Sequence, residues 1–343
     1  LFVHKNLRKK SQELKVVSFA NLVSKWHGAN YKYVQLFGGF IILIFLSTYA
    51  AAQLNAGSKS MHILFGLDYR LGAIIGGIIV LLYCFSGGIR ASIWTDAAQS
   101  LVMIIAMFLM VFFGIKELGG FSNFINELHK ISPDYMKWFP STKFSEFLLA
   151  PYMFIIGWFF SGVGVIGQPH VMVRFMTIDN TKNIPKTRIY YYTWYTLFYS
   201  LSILAAFVAR LLIPETNNID PELALPTLAL NLLPEFFVGV VLAGIFAATM
   251  STADSQIISC TASITNDLSF NKKNNYLTNK VVTLFVTVFV VTIAINDNKS
   301  VFNLVLMSWS TLACCFSPLL IINSLKQKIS EVLSLMMMVI PLI

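Results

Sequence analysis

Long apolar segments recur along this chain, and they constrain its fold more than any other feature. A helix needs about 20 apolar residues to cross the hydrocarbon core of a bilayer. Eight runs approach or exceed that length, and a ninth, incomplete run follows them at residues 330–343. The eight runs are residues 33–65, 71–87, 93–115, 147–176, 190–213, 235–268, 281–295 and 301–325. The pattern predicts an all-α polytopic membrane protein, a single transmembrane domain over residues 1–343 with about eight complete spans.

The composition excludes several other classes of protein. Of the 343 residues, 56% are hydrophobic and 12% are charged, and the mean hydropathy is +0.70. A soluble domain has roughly 45–50% apolar and about 25% charged residues. Neither a disordered chain nor an ordinary cytosolic enzyme fits these values. The four cysteines lie in apolar stretches without CxxC spacing, and no phosphate loop, nucleophile elbow or zinc motif is present. We therefore expect no enzyme activity, organic cofactor, transition metal or nucleic-acid partner.

The basic residues predict the topology. The formal net charge is +9, but lysine and arginine occur in short blocks between the apolar runs. If the N-terminal segment is cytoplasmic and the eight spans alternate, 17 of the 25 basic residues lie inside and 8 lie outside. This bias follows the positive-inside rule. It predicts a multi-pass protein of the plasma or inner membrane, with residues 180–186 and 271–275 in the cytoplasm.

The sixth apolar run carries an unusual density of hydroxyl groups and a carboxylate. Its residues Ser251, Asp254, Ser255 and Ser259 share one helix face. Hydroxyl, carbonyl and carboxylate oxygens can replace the hydration shell of a small alkali cation. We therefore expect an ion site on this helix, with Asp254 and Ser255 as additional members of the ion path. The alternative is that the hydroxyls bond to their own helix backbone and only pack against neighbouring helices.

The fourth apolar run is interrupted in its middle. Gly162, Gly164, Gly167 and Pro169 fall within a few residues of each other, which indicates a broken helix. Unwound backbone at membrane depth is tolerated where it lines a cavity or is buried in protein. Such breaks form solute sites near the bilayer midplane in secondary transporters. A simple kink or the end of a span remains an equal alternative.

An acidic residue, Asp96, stands at the cytoplasmic start of the third run. It is either a helix N-terminal acid that interacts favourably with the helix dipole or an acid at the inner mouth of a cation path. Its position does not decide between these roles. Because the chain has no nucleotide-binding element, any transport would have to be driven by an ion gradient.

Taken in order, several motifs resemble those of the sodium:solute symporter family, most closely its proline-transporting members. The resemblance extends over about residues 2–318 and therefore covers nearly the whole chain. The motifs are Ser86-Gly87-Gly88 with Trp94-Thr95-Asp96, Gly167-Gln168-Pro169-His170 with Arg174-Phe175-Met176, and Met250-Ser251-Thr252 with Thr265-Asn266-Asp267-Leu268.

The resemblance implies a fold and a function. The fold would be an inverted repeat of five plus five core helices, and the spans seen here would be core helices three to ten. The first core helix and nearly all of the second would precede residue 1, which makes this chain a fragment. The implied function is Na⁺-coupled symport of a small organic solute, proline or another amino acid, by alternating access across the lipid bilayer. The alternative is a transporter-like sensor domain of a membrane signalling protein.

The resemblance also assigns residues to sites. Ser251 and Thr252 would supply hydroxyl ligands to Na⁺, Ala248 would supply its carbonyl oxygen, and Asp96 would assist Na⁺ binding or release. The solute would lie near the residues Tyr49, Ser161, Gly162, Gly164, Val165, Gly167, Gln168 and Pro169. Ser161 and Val165 stand where proline transporters have a tryptophan and a tyrosine. The identity of the solute therefore stays open among proline, another amino acid and a different small organic solute.

Overall fold

The computed structural model describes residues 2–132, 134–137, 139, 149–213, 220–269, 275–296 and 300–343, with only the backbone of Ser86. Thirteen α-helices and no strand lie in these ranges. The helices are α1 Phe2–Leu14, α2 Phe19–Lys25, α3 Lys32–Phe65, α4 Tyr69–Glu117, α5 Phe121–Ile131, α6 Ala150–Val163, α7 Pro169–Met176, α8 Ile184–Leu212, α9 Ala224–Leu232, α10 Glu235–Ser263, α11 Tyr276–Asn296, α12 Val301–Ser324 and α13 Glu331–Val339.

Seven helices in the described ranges are long and apolar enough to cross a membrane, which is one fewer than the sequence predicts. The exception is the predicted run at 71–87, which forms a shorter apolar helix, Tyr69–Phe85. This helix continues into the span Gly87–Glu117 through a break at Gly87 and Gly88 within α4. Gly88 has φ 56° and ψ −143°, a conformation available almost only to glycine. The chain reverses direction at this break, because Gly76 and Cys84 lie beside Met250 and Asp254 of α10, whereas Ser92 and Ala106 lie beside Asp254 and Gly244. The two apolar runs are therefore two helices, as the hydropathy pattern predicts.

Helix α10 lies at the centre of the bundle, between α3 and α4. It runs antiparallel to α3, because Gly39 of α3 lies against Ser263 and Asp267 whereas Gly57 lies against Phe246 and Met250. On the α4 side, a Cβ atom on Gly244 would collide with the Cβ of Ala106. Small residues at such crossings let helix backbones approach closely in lipid. Helix α10 is therefore held by close contacts on two sides.

Segments that the charge pattern assigns to the same side of the membrane lie together. Arg8 donates hydrogen bonds to the carbonyl oxygens of Met176, at 2.8 Å, and Asp179, at 3.4 Å. The hydroxyl of Ser18 donates to Asp267 at 2.5 Å. Residues 180–186, which are predicted to be cytoplasmic, directly follow Asp179 in the chain and therefore lie at this end of the molecule. Of the other predicted cytoplasmic loop, residues 271–274 lie outside the described residues.

The opposite end of the molecule gathers segments that the charge pattern assigns to the outside. Lys59, near the end of α3, forms ion pairs with Asp220 and Glu222, which precede α9. Glu222 also accepts a hydrogen bond from Ser300, which precedes α12. The two ends thus carry the two predicted sets of loops, as alternating spans require.

Candidate sodium and solute sites

The predicted break in the fourth apolar run is present. Helix α6 ends at Val163, residues Gly164–Gly167 form one 3₁₀ turn, Gln168 is extended, and α7 begins at Pro169. A proline favours extended backbone at the residue before it, which explains the conformation of Gln168. One boundary of the prediction is wrong: Gly162 is still within α6, so the unwound segment begins at Gly164.

The break packs against α12. A Cβ atom on Gly164 would lie 2.9 Å from the Cβ of Ala313, and one on Gly167 would lie 2.8 Å from the Cα of Ala313. The side-chain amide of Gln168 donates to the carbonyl oxygen of Trp309 at 3.0 Å. These glycines are therefore required for close approach between two backbones.

The other residues predicted around the break lie elsewhere. Ser161 and Gly162 are exposed, and a Cβ atom on Gly162 would meet nothing within 4 Å. The carbonyl oxygen of Ser161 accepts a hydrogen bond from the indole of Trp309 at 3.4 Å. Val165 is half-buried within the 3₁₀ turn. None of these three residues lines the cavity beside the break.

A cavity of about 460 Å³ lies between α7, the second half of α10 and the N-terminal segment. Its polar lining includes Arg8, Ser92, His170, Arg174, Ser255, Ser259 and Asp267. Of the predicted site residues, Pro169 and Ser255 line it. The predicted residue Tyr49 is next to it, since the Tyr49 ring meets the His170 ring edge to face with 5.8 Å between centroids. Sequence reasoning missed His170 and Arg174 as lining residues, although both occur in the motifs quoted above and are one helical turn apart.

The hydroxyl groups of α10 bond to their own helix, as the alternative reading of this run proposed. The Thr252 hydroxyl donates to the carbonyl oxygen of Ala248 at 3.0 Å, and the Ser251 hydroxyl reaches the same oxygen at 3.4 Å. Ser255 and Ser259 bond to carbonyl oxygens one turn earlier, each at 2.8 Å. The three predicted ligands Ala248, Ser251 and Thr252 are thereby brought together at one point on the helix.

The spacing of these three oxygens suits a small hard cation. Oxygen ligands lie roughly 2.3–2.6 Å from Ca²⁺, an ion of about the same radius as Na⁺. Two such ligands at a right angle are therefore roughly 3.3–3.7 Å apart. The 3.0 and 3.4 Å separations found at Ala248 need little adjustment to meet this geometry. Ala248, Ser251 and Thr252 are all half-buried, so one side of the cluster is accessible.

A second polar cluster joins α4, α7 and α10 around Arg174. Its guanidinium donates hydrogen bonds to Asp96, to Ser255 and, at 3.2 Å, to the Ser92 hydroxyl. Ser92 in turn donates to one carboxylate oxygen of Asp254 at 3.1 Å, and the hydroxyl oxygen of Ser255 lies 3.0 Å from the same carboxylate oxygen. Asp96, Asp254 and Ser255, three predicted ion-site residues, are therefore linked through this arginine.

Asp96 contacts Arg174 rather than the hydroxyls of Ser251 or Thr252. One of its buried carboxylate oxygens has no hydrogen-bond partner among the described residues. Within the same residues, no group of three or more histidine, cysteine, aspartate or glutamate side chains is arranged to hold a metal ion. A cation at this place would have to compete with the guanidinium for the carboxylate of Asp96.

A model of the sodium:solute symporter family matches residues 1–340. The chain belongs to this family. With seven membrane-length helices among its described residues, it is a multi-pass protein of the plasma membrane.

Individual relatives give more detail. The chain is 29% identical over 303 residues to sodium/proline symporter 2 of Staphylococcus saprophyticus, a match that covers 85% of this chain and 58% of the relative. It is 29% identical over 300 residues to a sodium/proline symporter of Staphylococcus aureus, covering 84% of this chain and 57% of the relative. The chain thus spans somewhat more than half the length of these relatives.

The fold is similar to that of a Na⁺-coupled sialic acid symporter solved in a substrate-bound, outward-open state. The TM-score is 0.73 with 19% sequence identity, and the match covers 94% of this chain and 71% of the other. At this identity the likeness concerns the fold alone. It confirms the prediction of an all-α polytopic transporter fold.

Proposed function

We propose that the protein of which this chain is part is a secondary active transporter that couples Na⁺ entry to the uptake of a small organic solute by alternating access. The observation that carries the proposal is the cluster of Ala248, Ser251 and Thr252 oxygens on the central helix. Family membership and the names of the relatives support it. Na⁺ would be the coupling ion, and neither an organic cofactor nor an enzymatic step is required.

Na⁺ would lie in the groove beside Ser251 and Thr252. Adjacent residues on a helix point about 100° apart, so both hydroxyls can contact one ion only if it sits between their directions. A neighbouring segment would have to supply the remaining oxygens that offset the lost hydration shell. Because the ion would bridge two elements, it would favour the conformation in which they are close, and this differential contact is what coupling requires.

The cluster around Arg174 would form the inner part of the ion path. Asp96, Asp254 and Ser255 present two carboxylates and a hydroxyl beside the cavity, about three helical turns from Asp267 at its cytoplasmic end. The guanidinium occupies the position from which a cation would approach Asp96. In this proposal Arg174 competes with Na⁺ for Asp96 and thereby helps the ion to leave.

The solute would bind beside the broken helix, near Tyr49, Gln168 and Pro169. We propose proline or another amino acid, because the named relatives are sodium/proline symporters. Gly164 and Gly167 would act indirectly, since they set the close packing of the break on α12. Ser161 and Val165, which stand where the resemblance places two aromatic residues of proline transporters, do not line the cavity, so a different small organic solute is the main alternative.

Uptake by the full-length protein in proteoliposomes tests the proposal. Radiolabelled L-proline and a panel of other amino acids would be offered with an inward Na⁺ gradient, with an equal K⁺ gradient, and with Na⁺ plus an ionophore. We expect accumulation of at least one amino acid only with the intact Na⁺ gradient. Equal uptake under all three conditions, or uptake of none of the panel, would refute the proposal.

A further inference from the structure

Gln256 on α10 is buried completely but lacks hydrogen bonds. Its side chain is 0% exposed, and neither its amide oxygen nor its amide nitrogen has a partner among the described residues. Nearly all buried polar side-chain atoms in native proteins have at least one partner, because an unsatisfied buried group loses its bonds to water without replacement. An amide with two unsatisfied ends therefore indicates a partner that the described residues do not provide.

The register of α10 places Gln256 at the depth of Tyr49. Ser263 donates to the carbonyl oxygen of Gly39 at 3.3 Å, and Cys260 lies 3.6 Å from the hydroxyl of Ser47. The helices are antiparallel and each residue advances about 1.5 Å. Gln256, one turn beyond Cys260, is thus level with the residues just after Ser47, which include Tyr49.

Gln256 does not itself line the cavity, but two of its neighbours on α10 do. Ser255, directly before Gln256, and Ser259, three positions after it, both line the cavity. The opposite wall of this part of the cavity carries His170. The ring of His170 contacts Tyr49, so α10, α3 and α7 meet at this level.

Residues beside the helix break also have buried polar atoms without hydrogen-bond partners among the described residues. His170 is 8% exposed, and its Nδ1 atom has no partner among the described residues. Gln168 is 0% exposed, and its amide oxygen has none either, although its amide nitrogen bonds to Trp309. Two helical segments next to one cavity therefore carry buried polar groups with unsatisfied donors and acceptors.

We propose that Gln256 and His170 are solute-contacting residues that recognise the polar end of an amino-acid solute. The amide nitrogen of Gln256 would donate to the solute carboxylate, and the amide oxygens of Gln256 and Gln168 would accept from its ammonium group. His170 would complete the contact through Nδ1, in the tautomer that the solute group requires. This inference rests on the proposed function, and it assigns recognition of the solute to side-chain amides and an imidazole.

The proposal has a thermodynamic signature that a structural role lacks. If the Gln256 amide forms hydrogen bonds only with the solute, replacing Gln256 with leucine removes an unsatisfied buried group from the solute-free protein. That protein should then be as stable as the wild type or more stable. If the amide bonds to another part of the protein, the same change should lower stability. Gln35 is the matched control, because its amide donates to Asn266 at 3.0 Å and to Asp267 at 3.2 Å.

The experiment uses the full-length protein with three variants, Gln256→Leu, His170→Phe and Gln35→Leu. The probe is L-proline, or the amino acid of the panel with the highest Na⁺-dependent uptake. We measure its KM, the Na⁺ concentration for half-maximal uptake, and the solute-free Tm. Gln256→Leu should raise the KM at least tenfold, leave the Na⁺ dependence within twofold, and not lower the Tm. His170→Phe should also raise the KM while its ring keeps the contact with Tyr49.

Gln35→Leu should show the opposite pattern, a lower Tm with a KM close to that of the wild type. An unchanged KM in Gln256→Leu overturns the inference, and so does a Tm that falls as much as in Gln35→Leu. Both outcomes leave the proposed transport function intact, because the wild type would still accumulate the probe. A wild type that accumulates no amino acid of the panel refutes the proposed function, and the inference with it.

Discussion

Replacing Lys59 with methionine should loosen the end of the molecule at which α12 begins. The Lys59 ammonium lies 2.7 Å from a carboxylate oxygen of Asp220 and 2.6 Å from one of Glu222. Glu222 also accepts hydrogen bonds from the Ser300 hydroxyl, at 2.5 Å, and from the backbone amides of the next two residues, at 3.1 and 3.0 Å. One carboxylate thus caps the N-terminus of α12 and binds it, through Lys59, to α3.

The magnitude follows from the partial burial of this cluster. The Lys59 and Glu222 side chains are only 21% and 20% exposed, whereas that of Asp220 is 42% exposed. Exposed ion pairs contribute about 0–1 kcal/mol. Removing one partner of a fully buried pair costs about 3–5 kcal/mol. We expect Lys59→Met to lower the free energy of unfolding by about 1–3 kcal/mol, between these limits.

The assay is thermal unfolding of the purified full-length protein, with hydrogen exchange of the backbone amides in α9 as a local measurement. Lys59→Met should lower the Tm and raise the exchange rate in α9. Lys130→Met is the control, because Lys130 pairs at 2.6 Å with Glu127 inside α5 and joins no two helices. The reasoning fails if Lys59→Met and Lys130→Met change the Tm equally, or if exchange in α9 does not respond to Lys59→Met.

The same cluster sets a pH dependence. Burial acts to raise the pKa of Glu222, but hydrogen bonds from Lys59, Ser300 and two backbone amides lower it from 4.5 to about 2. A carboxyl group with a lowered pKa stabilises the fold above its unfolded pKa, and that contribution is lost as the pH falls toward the folded value. The Tm difference between wild type and Glu222→Gln should therefore be the same at pH 7 and pH 5.5. A difference that disappears by pH 5.5 would contradict the contacts described.

Two further predictions concern the ion and the break. Ser251→Ala and Thr252→Ala should each raise the Na⁺ concentration for half-maximal uptake severalfold. Thr249→Val should not raise it, although Thr249 lies about half a turn before Ser251 and its hydroxyl also bonds to the helix backbone. Equal effects in all three variants would show that the hydroxyls only pack helices. Gly164→Leu should abolish uptake and lower the Tm, because the leucine side chain would collide with α12, whereas Gly162→Leu should be tolerated. Normal uptake by the Gly164→Leu variant would disprove the packing argument.

The sequence predicts the apolar elements of this fold well because each must bury an apolar surface over a length fixed by the bilayer. It also separates the apolar runs at 71–87 and 93–115, and the structure breaks the helix between them at Gly87 and Gly88. What it misses is the length of the first of these helices, which ends at Phe85 and is shorter than the seven membrane-length helices of the described residues. Hydropathy is sensitive to the solvent around a segment, whereas the residue at which a helix ends depends on φ and ψ angles that hydropathy does not encode.

Long-range partners escape sequence reasoning for a different reason. The break was predictable because glycine and proline act locally on the backbone, and only its first residue, Gly162, was assigned incorrectly. The pairing of Asp96 with Arg174 joins residues 78 positions apart, and no local pattern specifies it. The unsatisfied amide of Gln256 is likewise invisible in sequence, since satisfaction depends on neighbours that only the packed structure defines.

The two readings of the hydroxyl-rich helix, backbone bonding and ion binding, are compatible in the structure. Each hydroxyl has one hydrogen to donate and two lone pairs that can accept. Thr252 donates its hydrogen to the carbonyl oxygen of Ala248, and this bond fixes the rotamer while leaving the oxygen's lone pairs unused. A cation needs only those lone pairs, so the bond to the backbone orients the ligand instead of competing with it. Replacing Thr252 with valine would keep the shape but remove both the orienting bond and the lone pairs, whereas serine would keep both. If Na⁺ binds here as proposed, Thr252→Ser should therefore keep the Na⁺ concentration for half-maximal uptake close to that of the wild type, and Thr252→Val should raise it.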